Sequence, residues 1–89
     1  MMKYKLEISL RAQKNLKKID KYHQKLISNW IDMNIQNTED PRKYGKALTE
    51  NLSGLWCYRV GNYRIICEIK DSELTIITIN IGHRRDIYS

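Results

Sequence analysis

Leu55-Trp56-Cys57-Tyr58-Arg59-Val60-Gly61-Asn62-Tyr63-Arg64-Ile65-Ile66-Cys67-Glu68-Ile69-Lys70 decides the fold. Two runs rich in β-branched and aromatic residues meet at Gly61-Asn62, a pair that suits a two-residue hairpin turn. That turn sets Val60 opposite Tyr63, Arg59 opposite Arg64, Tyr58 opposite Ile65 and Trp56 opposite Cys67, so every side chain is assigned a face. A third run, residues 73–81, follows Asp71-Ser72, which fits a second two-residue turn. The expected meander is therefore residues 55–60, 63–70 and 73–81. One face collects Trp56, Tyr58, Val60, Tyr63, Ile65, Cys67, Ile69, Leu74 and Ile76, an almost wholly apolar set. Cys57 and Cys67 fall on opposite faces and cannot pair with each other.

Upstream, residues 3–8 alternate polar and apolar and read as a short strand. Ser9 can cap a helix. Ala12, Leu16 and Ile19, then His23, Leu26, Ile27, Trp30 and Ile31, follow at helical spacing. With Asp20 as a second cap, this predicts a helical hairpin over about 10–19 and 21–36. Asn37-Thr38-Glu39-Asp40-Pro41 ends it, and residues 42–54, punctuated by Gly45 and Gly54, read as a long loop with one turn of helix. The order β-α-α-β-β-β predicts an α+β fold: a mostly antiparallel four-stranded sheet with the helical hairpin packed on the apolar face.

The chain has 89 residues, enough for a single domain over 1–89. Sixteen Lys and Arg against ten Asp and Glu leave a net charge of +6, which suits a polyanionic partner: nucleic acid or an acidic protein. No apolar run approaches the roughly 20 residues of a membrane span, and Met1-Met2-Lys3-Tyr4-Lys5 lacks the apolar stretch of a secretory signal, so a soluble cytoplasmic protein is expected. The two cysteines are outside any Cys-x-x-Cys spacing and read as small apolar residues. His23 and His83 are not at ligand spacing with carboxylates, so no metal site and no cofactor are expected.

Candidate chemistry starts from Arg59 opposite Arg64, because like charges facing each other across strands invite an anion. The Asp71-Ser72 turn sets Arg64 opposite Ile79, so the third strand ends at Ile81 beside the two arginines. The following Gly82-His83-Arg84-Arg85-Asp86-Ile87-Tyr88 starts at their edge. Arg59, Arg64, His83, Arg84 and Tyr88 are thus expected to bring three guanidiniums, an imidazole and a phenol together. Each alone reads as an ordinary surface group. Their convergence points to phosphate, whose oxygens guanidinium matches best. Arg11, Lys14, Lys18, Lys21 and Lys25, three and four apart, form a stripe opposite the apolar one, either a solvated face or a footprint on RNA, with Arg85 added to the RNA-binding set. His23 lies in the apolar stripe and reads as structural.

Three segments carry a family resemblance: Asn51-Leu52-Ser53-Gly54-Leu55-Trp56, then Tyr58-Arg59-Val60-Gly61-Asn62-Tyr63-Arg64-Ile65-Ile66, and the ending Gly82-His83-Arg84-Arg85-Asp86-Ile87-Tyr88. With the length and element order, they resemble the RelE/ParE superfamily of bacterial toxins from toxin-antitoxin pairs, most closely the RelE branch. The resemblance implies a fold related to microbial ribonucleases, a cognate RelB-like antitoxin, no metal, and cleavage of messenger RNA in the decoding site of the ribosome. It assigns phosphate contacts to Arg64, Arg59 and Arg84, and binding or proton transfer to Tyr88. Another branch uses a loop carboxylate and a histidine near the end; the carboxylate position is Lys46 here, and His83 is retained. The founding RelE enzyme carries two lysines on the strand before the hairpin, whereas here one position is Arg59 and the other falls near Gly61. The general base is therefore open between two groups: His83 is the preferred candidate on chemistry, as an imidazole, and Lys46 the alternative. Two rival readings are a non-enzymatic DNA gyrase poison in the manner of the ParE branch and a plain RNA-binding module.

Overall fold

Ser9 joins the first strand to the first helix in the computed structural model, which describes residues 2–83. Its backbone is extended, and its hydroxyl accepts a hydrogen bond from the Ala12 amide, starting α1 (Leu10–Lys17) directly after β1 (Lys5–Ile8). Asp20 does the same for α2 (Lys21–Asn34), accepting from the His23 amide. Both caps satisfy amides that the first helical turn leaves unbonded. Both helices stop two residues short of the expected ends. The Lys18 amide reaches back to the Asn15 and Leu16 carbonyls, closing α1 so that Asp20 can cap the next helix. Beyond α2, Asn37 turns the chain with a left-handed φ of 61°.

The strands follow as β2 (Lys46–Ala47), β3 (Trp56–Val60), β4 (Tyr63–Lys70) and β5 (Thr75–His83). They form one sheet in the order β1-β5-β4-β3-β2, with β1 parallel to β5 and the other neighbours antiparallel. The sheet therefore has five strands rather than four. The extra one is the two-residue β2, inside the segment expected to be loop; the expected helical turn is also there, as a 3₁₀ turn at Glu50–Leu52. The β3–β4 register is the one the sequence predicts, from Trp56 opposite Cys67 to Val60 opposite Tyr63, with Gly61 at φ 59° in the turn.

The β4–β5 register departs from expectation. The connection is a 3₁₀ turn at Asp71–Glu73 closed by a left-handed Leu74, so Lys70 faces Thr75 rather than Glu73. A β-bulge then intervenes: Cys67 faces Thr78, but Ile66 faces Asn80, leaving Ile79 without an opposite number. Arg64 thus faces Gly82 instead of Ile79, and the odd shift moves His83 onto the face of its partner Tyr63. Beyond Thr78, where the ladder with β1 ends, α1 and its cap take over this edge of β5. Ser9 Oγ donates to the Ile79 carbonyl at 3.1 Å, and Asn15 Oδ1 accepts from the Ile81 amide at 3.2 Å.

The helices cover one sheet face. Ala12, Ile27, Ile31 and Ile35 pack on Tyr58, Val60, Ile65, Cys67, Ile76 and Ile81, with Trp56 and Tyr63 at the margin. Each isoleucine or valine buried here contributes about 1.5–3 kcal/mol. Of the expected apolar face, Ile69 and Leu74 stay outside this cluster and only partly buried. The opposite face carries a second cluster that the sequence reading missed, in which Leu48, Leu52 and Leu55 from the loop cover Cys57 and Ile66. The cysteines are accordingly buried on opposite faces, and no disulfide joins them. Among the described residues no helix is long and apolar enough to cross a membrane.

Candidate functional site

Where the loop cover ends, the second face turns polar. Arg59 and Arg64 pair directly across β3 and β4, and Lys46, paired with Cys57, lies on the same face. Together with Gly45 and Cys57 they line a cleft of about 280 Å³. Arg59 and Lys46 are exposed, whereas Arg64, on an interior strand, is 6% exposed. Beside this buried guanidinium stand two exposed cations, and opposite it on β5 is Gly82, which adds no side chain. Such an arrangement can grip a phosphodiester and stabilise negative charge developing on it.

Lys46 reaches this cleft through a loop pinned to both β3 and the β4–β5 turn. The Trp56 indole N–H donates to the Tyr44 carbonyl at 2.7 Å, and the Tyr44 ring meets Trp30 edge-on with centroids 5.9 Å apart. Arg42 donates from both terminal nitrogens to the two Asp71 oxygens, each at 3.0 Å, while Tyr4 OH donates to the same carboxylate at 2.6 Å. The hydrogen bond from Arg42, then that from Tyr4, hold the Asp71 carboxyl below its ordinary range. The Tyr4 phenol is pushed up in return by its bond to Asp71.

His83 lies elsewhere. It contacts Tyr63 edge-on at 5.6 Å, and Tyr63 in turn lies 5.3 Å from His23. With Arg11, Asn15, Lys18, Asp20 and Tyr63 it lines a separate cleft of about 490 Å³ on the helical side. The expected gathering of His83 with Arg59 and Arg64 is thus corrected: the sheet separates them, because the one-residue bulge carries His83 to the other face. Arg84, Arg85 and Tyr88 lie outside the described residues. Arg11, Lys14, Lys18, Lys21 and Lys25 are all exposed, and none forms an ion pair with another described residue. His23 is only partly buried, bonded to Asp20 at 2.7 Å; that bond, with the His23 amide, lowers the Asp20 carboxyl. Among the described residues no three His, Cys, Asp or Glu side chains come together as a metal site. Sequence reasoning missed the Arg42–Asp71 and Trp56–Tyr44 contacts, although the isolated Gly45 was a sign of close backbone approach.

An α+β domain whose helices shield one sheet face while cations gather on the other is the class defined by this fold and cleft. The chain belongs to the family described as the ParE toxin of type II toxin-antitoxin systems, parDE, whose profile matches residues 6–88, and so to the RelE/ParE superfamily of toxins. Among curated proteins it is similar to Toxin RelG of Mycobacterium tuberculosis, 35% identical over 51 residues. That match covers 57% of this chain and 59% of the relative's length. Among solved structures, the toxin-antitoxin complex RelBE2 from Mycobacterium tuberculosis has a chain matching with a TM-score of 0.84 and 24% identity, covering 97% of both chains. A RelE toxin mutant of E. coli in the free state matches at 0.75 and 18% identity, over 98% of this chain and 90% of that one. These two likenesses show the shared fold.

Proposed function

We propose that this toxin is a metal-independent, ribosome-dependent endoribonuclease that cuts translated messenger RNA. The observation that carries the reading is the cleft in which Lys46, Arg59 and the buried Arg64 share one face. In the proposed reaction a ribose 2′-hydroxyl attacks the adjacent phosphorus and its proton is taken up. The bond from phosphorus to the 5′-oxygen breaks, and the leaving oxygen gains a proton. The products are a 2′,3′-cyclic phosphate and a 5′-hydroxyl. Arg64, with Arg59 and Arg84, stabilises the charge building on phosphorus oxygens, and Tyr88 assists binding or proton transfer. Lys46 moves the 2′-hydroxyl proton; it is favoured over His83, which belongs to the other face.

Few positioned acid-base groups leave orientation to the ribosome, a contribution of up to about 7–11 kcal/mol. Arg11, Lys14, Lys18, Lys21, Lys25 and Arg85 supply the electrostatic attraction to RNA. The partner that silences the toxin is a cognate RelB-like antitoxin; the RelBE2 likeness, a toxin-antitoxin complex, supports this. A second reading, a non-enzymatic gyrase poison, is favoured by the ParE description of the matching family. Mapping transcript and DNA ends after induction in cells tests both. In-frame cuts within translated codons are expected, and DNA breaks without them would replace the nuclease by the poison.

A further inference from the structure

We infer that Asp71, acting through Arg42, is a positioning residue that holds Lys46 in the arginine cleft, an inference that rests on the proposed role of Lys46 there. β2 has only two residues, both exposed, so its ladder with β3 is too short to fix its own register. The chain leading to it is fastened residue by residue instead. Tyr58 OH donates to the Pro41 carbonyl, Arg42 clasps Asp71, and the Tyr44 carbonyl is taken by Trp56. The Arg42 guanidinium also sits over the Trp56 ring, 6.0 Å from its centroid, so one side chain links the clasp to the indole that fixes Tyr44.

Gly45 completes the delivery. It has φ +84°, and a Cβ there would stand 2.3 Å from the Cys57 carbonyl oxygen and 2.7 Å from the Trp56 indole nitrogen. The backbone therefore lies directly against β3 just before Lys46, and only glycine allows that approach. Asp71 itself never meets the substrate. It follows Lys70, six positions along β4 from Arg64, a separation on the order of 20 Å at about 3.3 Å per residue. The pair is also largely solvent-exposed, with side-chain exposures of 45% and 57%, so its contribution to global stability is small. Its effect is on where the loop lies.

The test is a double-mutant cycle between Asp71→Asn and Lys46→Met, read by binding of a short single-stranded oligonucleotide without 2′-hydroxyls, which cannot be cleaved. Asp71→Asn should weaken binding about three- to tenfold when Lys46 is present and less than about twofold in the Lys46→Met background. The Trp56 indole N–H should exchange faster in Asp71→Asn. Tyr4→Phe removes a bond to the same carboxylate without touching Arg42, and should leave the cycle unchanged. Additive effects, or no Lys46-dependent binding, would overturn the positioning role. Single-turnover cleavage on programmed ribosomes separates the two readings. A coupled binding cycle in a protein that cuts nothing keeps the clasp and removes the nuclease, whereas cleavage with an additive cycle does the reverse.

Discussion

Arg59 and Arg64 stand directly opposite each other across the β3–β4 hairpin, yet one is exposed and the other is 6% exposed. Their shared sign makes the pair repulsive without an anion, and under the proposed function their unequal burial would divide the labour, Arg64 offering a buried planar fork to the phosphate and Arg59 an exposed charge beside it. Arg64→Lys keeps the charge but loses the planar fork. It should lower single-turnover cleavage by about 10²- to 10³-fold, the usual cost of removing a preorganised charge-stabilising donor. Arg59→Lys should cost less than about tenfold. Equal losses in the two variants would show that burial confers no special role on Arg64.

Lys46 and His83 are separated by the sheet, so their variants should behave differently. Lys46→Met is expected to reduce cleavage at saturating ribosomes by about 10²- to 10⁴-fold, the range for a proton-transfer group, and His83→Gln by no more than a few-fold. A pH-rate profile that loses its rising limb in His83→Gln, and keeps it in Lys46→Met, would return the base to His83.

Ser9 makes two bonds with one hydroxyl, capping α1 and holding the bulge carbonyl of Ile79. Ser9→Ala should destabilise the protein by about 1–3 kcal/mol in urea titrations, the sum of a lost cap and a lost bond to a partly buried carbonyl. A change below 0.5 kcal/mol on the order of experimental scatter would mean that water replaces both bonds.

Acid should loosen the loop. The Asp71 and Asp20 carboxyls lie below their ordinary value in the folded protein, Asp71 through Arg42 and Tyr4, Asp20 through His23. Their stabilisation is therefore present above the unfolded carboxylate pKa of about 4 and is lost as pH falls through the lower folded values. The Tyr4 phenol is raised, so its share is present below about pH 10 and disappears as pH rises through the folded value. In Asp71→Asn the fall of Tm with acid should be slightly shallower, a small difference in keeping with so exposed a pair, and the small Tyr4-linked loss in alkali should vanish. Parallel Tm curves for both proteins would refute this linkage.

Cys67 is wholly buried, and burial pushes its thiol up to about 12. Iodoacetamide at neutral pH should alkylate Cys67 only as fast as the protein unfolds, with urea accelerating labelling in step with denaturation. Rapid labelling of Cys67 in the native protein, read by peptide mass, would contradict its packing.

The hairpin, both helix caps and the cross-strand arginines were legible because each depends on residues close in sequence: Gly61-Asn62, Ser9 and Asp20. What escaped depends on distant partners. Nothing local says that Asp71 is claimed by Arg42 and Tyr4, or that two residues near Gly45 add an edge strand. The β5 register was misread because alternation was carried through unbroken. The clue was present in Ile76 and Ile81, both core residues at an odd separation, which a regular strand would send to opposite faces. From that one slip came the misplacement of His83.

The bulge has a consequence for how this chain tolerates change in length. Ile79 is a spare residue: the ladder runs from Thr78 to Asn80 on consecutive positions of β4, as though it were absent. Deleting it would straighten an interior strand while leaving every neighbouring side chain on its present side, whereas losing one residue from the unbulged stretch of β4 would swap the side chains beyond it between the helical face and the face that carries Arg64 and Ile66. A one-residue gap, ordinarily the mark of a surface loop, would therefore spare the facing of side chains within this sheet, its cost falling on the Ile79 carbonyl that Ser9 holds.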